Sequence, residues 1–118
     1  MAVLSSHFLN GVDGTHAAKV GVTLVAIAAD GTRTPIFASA SDDAGRFAED
    51  VVPDNKTADT QYEMVIASGA YFAGRNVPVT GMTILREIVI RFTMPNPEAR
   101  YHIPVIMSPN SYSCWWSS

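Results

Sequence analysis

Three histidines and one arginine are the residues of this chain best suited to moving protons and holding negative charge. His7 sits in Leu4-Ser5-Ser6-His7-Phe8-Leu9-Asn10, between apolar neighbours, and His102 lies between Tyr101 and Ile103, just ahead of Pro104. His16 falls in a polar, alanine-rich loop. An imidazole, with an ordinary pKa of about 6.5, can take up or release a proton near neutrality. On a strand, His102 points away from Tyr101 and Ile103 and shares a face with Pro104 and Ile106. Arg46 follows Asp42-Asp43-Ala44-Gly45 at the tip of a turn, where its planar donor fork can be aimed at a carbonyl or an anion. Spacing alone does not separate these roles from plainer ones, a hydrogen-bonded structural histidine or a solvated turn cation.

Other chemistries find less support. No His-x-His or His-x3-His spacing occurs, which argues against a metal site, and Cys114 is the one cysteine, which excludes a Cys-based zinc site and an intrachain disulfide. Beside Trp115, that cysteine reads as a small buried apolar residue rather than a nucleophile. No Gly-x-Ser-x-Gly, phosphate loop or dinucleotide fingerprint is present, so no cofactor is expected. The adjacent Trp115 and Trp116 carry large apolar areas that water disfavours, so the tail should be docked on a core, a partner subunit or a ligand.

The elements that must position these groups read mainly as strands. Val20–Ala28 is apolar on both alternating faces, as in a strand covered on both sides. Asp30-Gly31 joins it to Arg33–Ser39 as an antiparallel hairpin. Gln61–Ala67 places Tyr62, Met64 and Ile66 on one face. Leu85–Phe92 alternates Ile88, Ile90 and Phe92 against Glu87, Val89 and Arg91. His102–Met107 forms a long apolar strand, and Ser113–Trp116 adds a short one. Ser68–Arg75 is the one helical candidate. Asp42–Gly45, Val52–Thr60, Asn76–Gly81 and Pro95–Glu98 read as turns or loops. Seven or eight short strands with frequent turns predict an all-β sandwich in a single domain, residues 1–118. The excess of two-faced apolar strands points to a sheet face buried by another subunit.

Composition supports this reading. At 118 residues, 47% hydrophobic and 16% charged, the chain suits one packed domain. Its formal net charge of −3 and its lack of any basic run argue against nucleic-acid binding. Met1-Ala2-Val3-Leu4 runs quickly into polar residues, unlike a signal peptide or membrane span, so a cytoplasmic protein is expected.

The chain resembles the transthyretin-related family whose enzymes are 5-hydroxyisourate hydrolases. Leu4-Ser5-Ser6-His7-Phe8-Leu9-Asn10 is similar to that family's Leu-Ser-Thr-His-Val-Leu-Asp opening, and Asp43-Ala44-Gly45-Arg46 to its Asp-Gly-Arg turn. Tyr62-Glu63-Met64 and Ala70-Tyr71-Phe72 resemble its Tyr-Glu-Leu and Tyr-Phe segments. Tyr101-His102-Ile103-Pro104-Val105-Ile106-Met107-Ser108-Pro109 follows its Tyr-His-Val-Pro-Leu-Leu-Leu-Ser-Pro signature. The resemblance implies an eight-stranded sandwich with one short helix, assembled as a homotetramer with sites between subunits. It implies catalytic roles for His7, Arg46, His102 and Ser118 in opening a ring by water attack at a carbonyl.

The tail departs from the family pattern. Those hydrolases end in Tyr-Arg-Gly-Ser, whereas this chain has Trp115-Trp116-Ser117-Ser118. Replacing the arginine by Trp116 removes a cation and a bidentate donor and offers one N–H and a π face instead. His16 also stands where the family often has proline, and Leu85-Arg86-Glu87 where it often has Phe-Pro-Glu. The expected function is therefore an acid–base enzyme of this fold whose pocket, lined by Tyr112, Trp115 and Trp116, takes an aromatic or heteroaromatic substrate. Its reaction would lie at a C=O or C=N centre, for instance a Pictet–Spengler-type condensation of an amine with an aldehyde. The alternatives are an ordinary 5-hydroxyisourate hydrolase and a non-catalytic carrier of aromatic ligands.

Overall fold

A computed structural model describes residues 1–52, 60–75 and 81–117. Most of the loops expected over 52–60 and 76–81 lie outside the described residues, as does Ser118. The described elements run, in chain order, β1 (Ala2–Asn10), β2 (Gly21–Ile27), β3 (Arg33–Ala40), β4 (Arg46–Val51), β5 (Gln61–Ile66), α1 (Ser68–Ala73), β6 (Ile88–Phe92), β7 (Arg100–His102), β8 (Val105–Ser108) and β9 (Ser111–Cys114). They form a two-sheet sandwich: one sheet has the order β4-β1-β8-β9 with β7 also paired to β1, and the other β3-β2-β5-β6.

The long strand expected over His102–Met107 is divided. Both β7 and β8 pair parallel with β1, and the register is the same on the two sides of the break, with Ser5 opposite His102 and Leu9 opposite Ile106. The interruption falls at Ile103-Pro104, and Pro104 has no N–H to give to the ladder. Counted as one interrupted strand, β7 and β8 bring the strands among the described residues to eight, the number expected. Hydrophobic periodicity by itself does not mark β1 or β4. Ser5 and Ser6 blur the alternation of β1, and Glu49 and Asp50 that of β4.

The core lies between the sheets. Leu4 and Phe8 from β1, Val22 and Leu24 from β2, Met64 and Ile66 from β5, Ile88 from β6, and Val105 and Met107 from β8 are all essentially inaccessible to water. The β2–β3 hairpin pairs antiparallel as expected, with a register irregularity between Leu24 and Val25. β2 differs from expectation in one respect: Val22 and Leu24 are buried, but Thr23 is exposed and Val25 only partly covered, so one face is packed within the chain. The helix is shorter than the 68–75 segment suggested, ending at Ala73, and it is held by buried Phe72.

Candidate active site

Strand alternation assembles the site. In β1, Ala2, Leu4, Ser6, Phe8 and Asn10 are buried, which turns Val3, Ser5, His7 and Leu9 to the outer face of the sheet. His7 is directly opposite Arg46, the first residue of β4. On the other side of β1, Ser5 is opposite His102. Cross-strand partners share a face, so His7, Arg46 and His102 all stand on the outer side of one sheet. Residues some forty and ninety positions apart in sequence therefore meet on a single surface.

A tight turn delivers Arg46. Asp42 Oδ1 accepts the N–H groups of Ala44 and Arg46, both at 2.9 Å, and the Asp42 N–H bonds to the Arg46 carbonyl at 2.8 Å. Gly45 has φ of +76°, and a Cβ there would stand 2.5 Å from the Phe8 carbonyl oxygen. Only glycine fits so close an approach with that backbone conformation. The Gly45 carbonyl in turn accepts the Phe8 N–H at 2.7 Å, tying the turn to the strand that carries His7.

His102 is held from two directions. Its Nδ1 lies 2.8 Å from Ser5 Oγ. Its carbonyl accepts the Ser117 N–H at 2.8 Å, in an isolated antiparallel bridge between His102 and Ser117. A hydroxyl can donate or accept, so Ser5 can support His102 with Nδ1 either bare or protonated, leaving Nε2 as acid or base accordingly. His7 contacts a third histidine: its Nε2 is 2.8 Å from His16 Nδ1. Burial, the Arg46 charge, His16 and His102 all depress the His7 pKa below its ordinary 6.5, while a backbone interaction with Ala44 opposes them. The net effect favours the uncharged ring of His7, the form a general base requires.

The backbone of the tail is held by β9 on β8 and by the Ser117–His102 bridge. The expected docking of the tryptophans is not seen within one chain: Trp115 is 46% and Trp116 64% exposed, and the two part company. Ser113 is opposite Ile106, and Ser117 opposite His102, so alternation carries Trp115 to the histidine face. There it is 46% exposed, a flat apolar surface beside polar groups. Trp116 turns the other way and lines a cleft of about 280 Å³ with Phe92, Thr93, Pro95, Tyr101 and Ile103. Tyr112, opposite buried Met107, likewise falls on the interior side of the sheet, at its open edge. Within one chain, then, His7, Arg46, His102 and Trp115 are brought together, and Tyr112 and Trp116 are not. Cys114, expected to be buried, is exposed, because β9 is an edge strand and covers only one side of β8.

Sequence reasoning overlooked Ser5, Asp42 and the partnership of His16 with His7. Ser5 stands two positions before His7, so alternation could have placed the two on one face. Its partner His102 is 97 residues away, beyond any local pattern. Among the described residues no group of three or more His, Cys, Asp or Glu side chains is arranged to hold a metal ion, and no helix is long and apolar enough to cross a membrane.

Two four-element sheet paths in this order, with a histidine–arginine surface on the outer face of one, define a transthyretin-like sandwich. Residues 4–116 match the HIUase/Transthyretin family, and the chain belongs to it. The 5-hydroxyisourate hydrolase of Deinococcus radiodurans is 30% identical over 115 residues, covering 98% of this chain and 95% of the relative. That of Caulobacter vibrioides is 31% identical over 118 residues, the whole of both chains. Among solved structures, (S)-allantoin synthase superposes with a TM-score of 0.79 at 26% identity, over 99% of this chain but 44% of that one. Sea bream transthyretin in complex with thyroxine gives 0.78 at 22% identity, over 97% of this chain and 93% of that one, a likeness of fold.

Proposed function

We propose that this chain is an acid–base enzyme acting at a C=O or C=N centre of a flat aromatic or heteroaromatic molecule, in a homotetramer whose sites lie between subunits. The observation that carries this reading is the convergence of His7, Arg46 and His102 on one outward sheet face, beside Trp115. An outward face gains the water exclusion that strengthens such groups when a second subunit covers it. His7 takes a proton from the attacking group, the Arg46 fork holds the charge that grows on the carbonyl oxygen, and His102 Nε2 returns a proton to the departing atom. Ser118 would complete the set in the role the family resemblance gives it. No cofactor enters this scheme.

In the Pictet–Spengler version an arylethylamine and an aldehyde lose water to form an iminium ion. The ring carbon then attacks it, and a histidine removes the ring proton. Trp115 favours this version, since it offers the face of the site a stacking surface for an electron-rich ring. Hydrolysis of 5-hydroxyisourate is the second reading, favoured by two full-length hydrolase relatives and by the position of Trp116. The residue that replaces the family's arginine lies off the histidine face of its own chain, so its loss need not disarm that face.

The deciding experiment generates 5-hydroxyisourate from urate with a uricase and follows its absorbance decay with and without the protein. The repurposed reading expects no acceleration, together with turnover of an indole-ethylamine and aldehyde pair that falls by roughly 10²–10⁴-fold in His102→Asn. Acceleration of the urate-derived decay that disappears in His102→Asn would overturn it in favour of the hydrolase. Tight binding of the indole compound with no turnover of either substrate would overturn both and leave a carrier.

A further inference from the structure

His16 is held against His7 by more than its own side chain. Residues 14–17 fold back along β1: the Asn10 N–H bonds to the Thr15 carbonyl at 2.8 Å, the Ala17 N–H to the Phe8 carbonyl at 2.9 Å, and the Gly14 N–H to the Asn10 carbonyl at 2.8 Å. Asp13 Oδ1 fixes Thr15 through both its N–H, at 3.0 Å, and its hydroxyl, at 2.6 Å. The resulting antiparallel bridge sets His16 opposite Leu9. On one face of such a pair the diagonal neighbour two residues along is within reach, and for His16 that neighbour is His7. The rings stack with centroids 4.9 Å apart and planes 30° from parallel, and the facing nitrogens are 2.8 Å apart.

That distance constrains the protons. Two ring nitrogens in such contact must be one N–H donor and one bare lone pair. With both rings neutral, one donates to the other. One added proton can sit on either ring, the imidazolium donating across the contact to the neutral partner. A second added proton would put an N–H on both facing nitrogens and break the contact. We propose that His16 is a positioning residue for His7, the two imidazoles forming one acid–base unit that carries a single added proton between them. The unit orients the His7 ring on the sheet face and lets a proton taken up by one imidazole be shared with the other across the contact. Its place in catalysis rests on the acid–base reading above; the pairing itself does not.

The charges around the unit come from every neighbouring element. Arg46 on β4 and His102 on β7 disfavour further positive charge on His7, and Asp42 on the turn before β4 lies close enough to feel the His7 charge. These fields bias where the added proton resides, but the one-proton limit follows from the 2.8 Å contact.

The test is a proton NMR titration of the histidine Cε1–H signals in the full chain, which needs no substrate. Coupled sites show macroscopic steps that belong to the pair. In the wild-type protein the His7 signal should move in two steps rather than one, because a second proton must break the contact with His16. In His16→Phe, which keeps a flat stacking ring but no nitrogen, the His7 signal should move in a single step. A single His7 step in the wild type, or a His7 curve unchanged in His16→Phe, would overturn the proposal. A failure of the reaction assays leaves these curves unaffected, so the two readings fall separately.

Discussion

Ser5 Oγ lies 2.8 Å from His102 Nδ1, which links the first strand of the chain to the strand before its tail through one hydrogen bond on the candidate catalytic face. The same two residues are cross-strand partners, so the bond also registers β7 on β1. Its chemical value is that a hydroxyl tolerates both protonation states of the ring nitrogen it holds.

Replacing Ser5 by alanine should leave the fold intact while freeing the His102 ring. Loss of one such hydrogen bond corresponds to roughly a 3- to 10-fold fall in kcat, with KM little changed. Steady-state kinetics on the substrate that the assays identify measures this. The 15N shifts of the His102 ring should change in Ser5→Ala and be restored in Ser5→Thr, which a purely structural role for Ser5 would not produce.

The two tryptophans should behave differently on truncation. Trp115→Ala removes the flat surface beside the histidines and should weaken binding of an aromatic ligand by about tenfold, equivalent to roughly 1.4 kcal/mol. Trp116→Ala changes the cleft formed with Phe92, Tyr101 and Ile103 and should leave that affinity within about twofold in the assembled protein. Isothermal titration with one indole-type ligand compares the pair. Equal losses in both variants would show that a neighbouring subunit brings the Trp116 side to the same site.

Gly45→Ala should damage both stability and activity. The new Cβ would meet the Phe8 carbonyl oxygen at 2.5 Å and the Ala17 nitrogen at 3.1 Å, in a backbone conformation with φ of +76°. Strain of that kind costs about 1–3 kcal/mol, read as a lower midpoint in urea unfolding. Because relief requires the turn to shift, Arg46 should move off His7, and activity should fall beyond what partial unfolding explains.

Glu63 predicts the acid limb of the stability curve. Its carboxylate bonds to Arg33 at 2.8 and 3.3 Å and to Arg91 through Nε at 3.0 Å and Nη2 at 2.5 Å. Hydrogen bonds from Arg33 and then Arg91 hold its pKa down to about 2 against an ordinary 4.5. Since the folded value is the lower one, the contribution is complete above pH 4.5 and is lost as the pH falls towards 2. Stability measured between pH 5 and 2 should therefore fall less steeply in Glu63→Gln than in the wild type. An identical slope would remove Glu63 from the acid response.

Much of the sandwich can be read along the chain because burial imposes a period of two. Tyr62, Met64 and Ile66 on β5, and Ile88, Ile90 and Phe92 on β6, advertise their inner faces in that way. Where polar residues enter the interior the pattern fades. Ser6 and Asn10 are buried in β1, satisfied by the Ile103 carbonyl and by Tyr71, and they hide a strand whose full nine residues are regular. Within the candidate site, His7, Arg46 and His102 are legible as residue types and through their resemblance to a family. Ser5 and His16 are not, since a serine and a loop histidine gain meaning only from the atoms they face.

By itself, then, the sequence determined the alternation of the strands, the turn that glycine permits before Arg46, and the family to which the chain belongs. These are local or cumulative properties, set by side-chain volume, polarity and backbone freedom along the chain. Tertiary structure alone decided which residues meet. The parallel pairing of β1 with β7 set His102 on Ser5, the fold-back of residues 14–17 set His16 on His7, and the bridge from Ser117 to His102 sent Trp115 and Trp116 to opposite sides. Neighbouring side chains on an extended strand point in opposite directions, so two adjacent tryptophans, identical in composition, cannot serve the same face.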